Sequence, residues 1–179
     1  MKKRGFEVVT KFKNENINLP KRQTKAAAGY DIECAQDFVV PSIWKSKVAQ
    51  FIHLAQQSLI QKDDLKGEAQ KELKPVLVPT GLKAYMQEDE VLMLVNRSSG
   101  PLKRGLVLPN SMGIIDADYY DNEKNEGEIF VQLTNYFPFD VHLKKGERIA
   151  QGMFMTYLKT DDDDGGVTTR DGGFGSSGK

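Results

Sequence analysis

The sequence predicts a mainly β protein whose strands form a mostly antiparallel sandwich or barrel. Residues 76–158 consist of short apolar or alternating runs separated by Gly, Pro and Asn, a pattern typical of strands and turns. The length of 179 residues is close to that of a single domain, and a hydrophobic content of 39% is enough for a substantial core. We therefore expect one β domain at 1–160, followed by a short tail.

Four runs in this region are the clearest strand candidates: Glu90 to Val95, Leu106 to Leu108, Ile129 to Leu133 and Arg148 to Leu158. The third run alternates, with Ile129, Val131 and Leu133 on one face. The fourth follows a turn at Lys145-Gly146-Glu147. The close spacing of the runs favours antiparallel strands.

The segment from 42 to 74 has a different character and predicts a helical insertion. Trp44, Val48, Phe51, Ile52, Ala55 and Leu59 recur at helical spacing and form one apolar face. A second, weaker helix is predicted at 66–73, ending before Pro75. The apolar face either packs against its own domain or forms a surface for a partner protein.

The tail at 161–179 is predicted to be a flexible, glycine-rich C-terminal arm. Four aspartates, Asp161 to Asp164, begin it, and such a run cannot contribute to a core. Glycines beside Arg170, Phe174 and Ser176 follow. A glycine-rich backbone next to Arg and Ser is suited to close over a phosphate group.

The charge and cysteine content exclude several classes of protein. Lys plus Arg and Asp plus Glu both total 25, so the net charge of zero disfavours binding to nucleic acid or an anionic membrane. A small phosphorylated ligand remains compatible. Cys34 cannot form an internal disulfide, and His53 and His142 make a poor zinc site without cysteine partners. No apolar run has the length of a signal peptide or membrane helix, so we expect a soluble, cytoplasmic protein.

Five short blocks occur in a defined order along the chain: Ala28-Gly29-Tyr30-Asp31-Ile32, Arg97-Ser98-Ser99-Gly100, Gly105 to Tyr119, Gly146 to Gln151, and Arg170 to Gly178. Together they resemble the motifs of the trimeric dUTPase family, of a bacterial or phage type with an insertion. The resemblance covers the chain apart from its extreme N-terminus and the insertion. It implies a jelly-roll-like fold, a homotrimer with active sites between subunits, and hydrolysis of dUTP to dUMP and pyrophosphate.

The second block has the chemistry of a phosphate cradle from Arg97 to Gly100. Arg97 offers a planar fork of donors, and Ser98 and Ser99 offer short hydroxyls. The resemblance implies that the Ser98 hydroxyl contacts the oxygen bridging the α- and β-phosphates. It also implies that Gln151, in the fourth block, is a further phosphate contact.

The third block predicts two short strands around a tight turn at Pro109-Asn110-Ser111. A hairpin can present backbone N–H and C=O groups to the edge of a flat base. The resemblance implies that this hairpin binds uracil, with Asn110, Gly113 and Ile115 among the contacts. Asn110 is also compatible with an ordinary turn residue.

Asp116 is the candidate catalytic residue. An aspartate is normally ionised at neutral pH and can accept a proton from water. If the strand continues, Asp116 and Asp118 point to the same side, and one can act while the other holds a structural hydrogen bond. The resemblance assigns activation of water to Asp116 and places Tyr119 against the deoxyribose, where a 2′-hydroxyl would collide.

The resemblance further implies Mg²⁺ as the cofactor, contacted by Asp31 through water. It also implies that the arm closes over the substrate, with Phe174 on the base, Arg170 at the terminal phosphate, and Gly175 and Ser176 among the contacts.

Two alternatives remain open from the residues. A dCTP deaminase of the same fold has a glutamate as its base near the hairpin, whereas this chain has Asp116-Ala117-Asp118-Tyr119, which favours dUTPase. The other alternative is a phage-type regulatory protein that binds a partner through the insertion at 42–74.

Overall fold

The computed structural model describes residues 2–45 and 73–163. Within these ranges the chain forms eleven strands in four small sheets, and every strand pair is antiparallel. The strands are β1 (Gly5–Val8), β2 (Tyr30–Glu33), β3 (Phe38–Val40), β4 (Val76–Pro79), β5 (Leu82–Tyr85), β6 (Glu90–Asn96), β7 (Leu106–Val107), β8 (Met112–Asp116), β9 (Phe130–Asn135), β10 (Val141–Leu143) and β11 (Arg148–Thr156). One short helix, α1 (Ser99–Arg104), and 3-10 turns at Thr10–Phe12, Ile43–Lys45 and Ala117–Tyr119 complete the described elements.

The largest sheet has the strand order β2-β11-β6-β8, and a second sheet has the order β4-β9-β7. The pairs β1-β5 and β3-β10 lie beside them. Leu92 and Leu94 of β6 and Val131 and Leu133 of β9 alternate with more exposed neighbours and meet in one core. The predicted mainly β, antiparallel fold is confirmed, as a jelly-roll-like sandwich; the described strands do not close into a barrel.

The predicted hairpin at 106–115 is wrong in its pairing. β7 pairs with β9 and β8 pairs with β6, so the turn connects two sheets and not two neighbouring strands. The reason is burial: Leu108 belongs to the core, and its N–H donates to Asn96 Oδ1 at 3.1 Å. Gly113 lies so close to Leu94 that an added Cβ would be 3.2 Å from the Leu94 Cβ. Each strand is therefore held by a different layer.

The described ends of the insertion lie side by side. Ser42, Lys45, Lys74 and Val76 help to line one cavity of about 220 Å³. The sequence predicts Trp44 on the apolar face of a helix, but Trp44 lies in a 3-10 turn with its Nε1–H donating to the Tyr136 carbonyl at 3.0 Å. The remainder of the predicted apolar face, Val48 to Leu59, lies outside the described residues, as does nearly all of the second predicted helix.

Residues 2–45 and 73–163 contain no helix that is long and apolar enough to cross a membrane.

Candidate functional site

Asp31 is the centre of a polar cluster built by three separate sequence blocks. It lies on β2 directly opposite Gln151 of β11, and its side chain is only 3% exposed. Its Oδ1 accepts hydrogen bonds from Arg97 Nε at 3.2 Å and Gln151 Nε2 at 3.3 Å. Its Oδ2 accepts one from Arg148 Nη1 at 3.2 Å. The structure therefore brings together three of the predicted site residues: Asp31, Arg97 and Gln151.

The glycine of the first block, Gly29, is packed closely against Gln151. A Cβ at this position would lie 3.3 Å from both Cβ and Cδ of Gln151. Such contacts are tighter than side chains normally make, so a larger residue would displace Gln151. The Gln151 amide can reach Asp31 because its neighbour has no side chain.

Arg148 is a further member of the polar cluster that sequence reasoning missed. Strict strand alternation places residues 148 and 151 on opposite faces of β11. A register shift between Arg148 and Ala150 re-aims the strand, so that Arg148 and Gln151 both reach Asp31. The fourth block contains Arg148, but nothing in the block signals the bulge.

The predicted phosphate cradle forms the start of α1, which the sequence did not indicate. Ser98 immediately precedes the helix, and the Gly100 N–H donates to the Arg97 carbonyl at 2.9 Å. The six residues of α1 show no helical periodicity. They include Gly100 and Pro101, and Leu102 is 80% exposed, so no apolar face marks the helix in the sequence. Gly105 ends the helix in the left-handed region, with φ of 61°.

A cavity of about 380 Å³ lies between α1 and the start of β11. Its lining includes Arg97, Ser99, Gly100, Arg104, Glu147 and Arg148. Arg104, also missed from the sequence, forms an ion pair with Glu147 across this cavity. Guanidinium groups next to small residues give the region the chemistry of an anion site.

A second cavity, of about 180 Å³, is a groove between β8 and β9. Its lining is Leu94, Leu108, Asn110, Gly113, Ile114, Ile115, Tyr119, Phe130, Val131 and Gln132. The described residues predicted to bind the base and the sugar, Asn110, Gly113, Ile115 and Tyr119, are therefore in one place. Within the described part of the chain β8 is an edge strand, so alternate backbone N–H and C=O groups point away from β6. Apolar walls beside a polar backbone edge suit a flat heterocycle.

Asp116 is the last residue of β8, and the chain turns directly after it. Ala117–Tyr119 form a 3-10 turn, so the prediction that Asp116 and Asp118 lie on one side of a continuing strand is wrong. The turn buries Tyr119, which is 5% exposed and has its ring in the lining of the groove. Burial of this aromatic ring ends the strand, and Asp116 is left half-buried beside the groove.

The described residues contain no group of three or more His, Cys, Asp or Glu side chains that could hold a metal ion. Asp31 already faces two guanidinium groups, which disfavours direct binding of a dication. Its Oδ2 accepts one protein hydrogen bond, and a carboxylate oxygen can accept a second one from a water molecule. The donor set therefore fits a magnesium ion held chiefly by a ligand's phosphates and contacted through water.

Arg170, Phe174, Gly175 and Ser176 lie outside the described residues.

The fold and the two cavities define a class of protein: a jelly-roll-like β protein with an arginine-lined cavity and a separate, partly apolar groove. A family model described as dUTPase matches residues 61–178. The deoxyuridine 5′-triphosphate nucleotidohydrolase of Lactococcus lactis subsp. lactis (strain IL1403) is 48% identical over 179 residues, with 99% of each chain covered. That of Hydrogenobaculum sp. (strain Y04AAS1) is 30% identical over 177 residues, with 97% of this chain and 99% of the relative covered. The chain belongs to the dUTPase family.

Solved structures agree with this assignment. The crystal structure of dUTPase from Streptococcus mutans has 43% sequence identity and a TM-score of 0.68, over 88% of this chain and 98% of that chain. The dUTPase from phage phi11 of S. aureus has 17% identity and a TM-score of 0.61, over 89% and 94% of the two chains. At that identity the phage protein supports the shared fold.

Proposed function

We propose that the protein hydrolyses dUTP to dUMP and pyrophosphate in the cytoplasm, which keeps uracil out of DNA and supplies dUMP for dTTP synthesis. The observation that carries the proposal is the convergence of Arg97 and Gln151 on the buried Asp31. These residues come from three blocks that resemble one family of nucleotide hydrolases. Family membership and relatives that are named as dUTP hydrolases support this reaction over a dCTP deaminase or a purely regulatory protein.

The phosphates would be bound by the Asp31 cluster and the start of α1. Arg97 is held at two points, by Nε to Asp31 and by Nη1 to the Arg148 carbonyl at 3.4 Å, so its planar fork has a fixed orientation. The exposed Ser98 hydroxyl would contact the oxygen between the α- and β-phosphates, where negative charge grows as the bond breaks. Ser99 and Gly100 would contribute to the same cradle, and Gln151 would be a further phosphate contact.

Uracil would lie in the groove, with its edge against the backbone of β8 near Gly113 and Ile115 and with Asn110 at the turn. The close fit would exclude the 5-methyl group of thymine. The Tyr119 ring would lie against the deoxyribose and leave no space for a 2′-hydroxyl. Substrate choice would therefore depend mainly on shape and on fixed backbone groups.

Asp116 would accept a proton from the attacking water, which would add in line to the α-phosphorus and release pyrophosphate. Magnesium, bound to the triphosphate and contacted by Asp31 through water, would neutralise phosphate charge. The arm would close over the site, with Arg170 at the terminal phosphate, Phe174 on the base, and Gly175 and Ser176 beside them. Closure of this kind excludes water other than the nucleophile.

The geometry of one subunit supports active sites shared between subunits. Asp31, Gln151, Val95 and Met112 form one row across the large sheet, and Asp116 lies four residues beyond Met112. With strands about 4.8 Å apart and a rise of about 3.3 Å per residue, the Cα atoms of Gln151 and Asp116 are roughly 16 Å apart. The Gln151 contact and Asp116 therefore lie in separate parts of the sheet of one subunit, which is consistent with a site completed by a second subunit. We therefore infer a homotrimer in which these two regions come from different subunits.

The outer face of the same sheet is consistent with an intersubunit surface. Met112, Ile114 and Met155 on this face are 37%, 53% and 48% exposed. Met93 lies among them, paired with Ile114 on one side and Met153 on the other. An apolar face of this kind is normally covered by another protein surface.

The proposed reaction is tested by measuring pyrophosphate release from each deoxynucleoside triphosphate and from UTP. We expect release from dUTP at a rate at least about 100-fold above that from the others, and loss of release when magnesium is chelated. Ammonia is measured in the dCTP reaction as a control for deamination. Ammonia release from dCTP, or equal pyrophosphate release from all substrates, would contradict the proposal.

Gly29→Ala is expected to reduce kcat/KM for dUTP by roughly tenfold, because the new Cβ displaces the Gln151 amide from Asp31. Ala26→Ser, at an exposed position nearby, is the matched control and should retain wild-type kinetics. Steady-state kinetics and thermal unfolding of both variants provide the measurement. Unchanged kinetics for Gly29→Ala would show that the position of Gln151 is not important.

A further inference from the structure

The Tyr119 hydroxyl is enclosed by the loop that follows it, which we name the Tyr119 loop (residues 120–128). This hydroxyl donates to the Glu128 carbonyl at 2.8 Å and accepts from Asn125 Nδ2, also at 2.8 Å. The Tyr119 side chain is therefore held at its hydroxyl by two residues of the loop. The ring itself lines the groove.

Further hydrogen bonds wrap the loop around Tyr119. Asn122 Nδ2 donates to the Tyr119 carbonyl at 2.8 Å, and Asn125 Oδ1 accepts the Gly127 N–H at 3.2 Å. Gly127 has φ of 78°, and a Cβ there would lie 2.5 Å from the Tyr119 carbonyl oxygen. Only a glycine allows the loop to close this tightly against Tyr119.

The outer side of the loop is fixed to the N-terminal part of the chain. Glu126 accepts hydrogen bonds from both the N–H and the hydroxyl of Thr10, each at 2.6 Å, and these bonds lower the pKa of Glu126. The Tyr120 hydroxyl donates to Glu7 at 2.7 Å, and Lys83 forms an ion pair with Asp121. The outer side of the loop is therefore anchored to β1, to β5 and to the 3-10 turn at Thr10–Phe12.

We propose that Asn125 is a positioning residue for sugar selection. By donating to the Tyr119 hydroxyl it fixes how far the Tyr119 ring projects into the groove, and so whether a 2′-hydroxyl fits above the ring. The inference rests on the proposed function, because it concerns the choice between dUTP and UTP. It assigns part of that choice to a residue that does not contact the nucleotide.

The test is the ratio of kcat/KM for dUTP to kcat/KM for UTP in Asn125→Leu, which is similar in size but cannot donate. We expect the ratio to fall about tenfold, mainly because UTP becomes a better substrate. Lys124→Ala, a change at an exposed residue of the same loop, is the matched control and should leave the ratio unchanged. A merely structural role would reduce stability or both activities together and would leave the ratio as it is.

Tyr119→Phe removes the hydroxyl itself, and with it both the Asn125 contact and the bond to the Glu128 carbonyl, and it gives a result even if Asn125→Leu does not fold. The ratio should fall in Tyr119→Phe, and adding Asn125→Leu to that variant should cause no further fall, because the contact is already absent. Additive effects in the double variant, or an unchanged ratio in either folded single variant, would overturn the inference. If the unmodified protein does not hydrolyse dUTP, the proposed function itself fails, and the inference fails with it.

Discussion

Asp116→Asn should lower kcat for dUTP by roughly 10² to 10⁴ while nucleotide binding persists. The substitution keeps the size of the side chain at the end of β8 and removes its ability to accept a proton from water. Binding should persist because the proposed phosphate contacts, Arg97 and Gln151, lie in another part of the sheet. Single-turnover kinetics and equilibrium binding of a non-hydrolysable dUTP analogue measure the two effects separately.

Asp118→Asn is the matched control, since it makes the same chemical change two residues further along the chain. Asp118 lies in the 3-10 turn and is exposed, so this variant should keep near wild-type turnover. A wild-type kcat in the Asp116→Asn variant would exclude Asp116 as the general base. An equal loss in both variants would instead indicate that the turn as a whole is required.

The strand pattern could be predicted from the sequence wherever the burial alternated. The predicted runs at 90–95 and 129–133 correspond to β6 and β9, whose buried residues alternate along the chain. The early strands β1, β2 and β3 were not predicted. Each has only three or four residues, too few for a clear period, and their strand partners lie far along the chain.

The residues of the candidate site could be predicted from the sequence, but the local backbone features that orient them could not. Arg97, Gln151 and Asp31 could be grouped from the order of the blocks, and the structure brings them together. Arg148 was missed because its orientation toward Asp31 depends on a local register shift, and no residue type in the block indicates that shift. The end of β8 at Asp116 was missed for a similar reason, since it depends on contacts between Tyr119 and a loop that closes around it.

Mixing two inactive variants should restore activity if each active site combines Asp116 of one subunit with the Asp31 cluster of another. One variant carries Asp116→Asn and the other carries Arg97→Ala, which removes the fork at the phosphate site. The two proteins are unfolded together in equal amounts and refolded, so that their subunits assort. A mixed trimer of either composition would then contain one site with an intact Asp116 from one chain and an intact Arg97 from its neighbour.

In the proposed homotrimer, random assortment would make three quarters of the trimers mixed, with one site in three complete in each, so about one quarter of wild-type activity should return. Wild-type protein taken through the same treatment corrects for refolding yield, and each variant refolded alone should stay inactive. If Asp116 and Arg97 of the same chain formed the site, every chain would lack one of the two groups. No activity would then return, even with mixed trimers demonstrated by native mass spectrometry. The recovered fraction therefore separates a shared site from a site within one subunit.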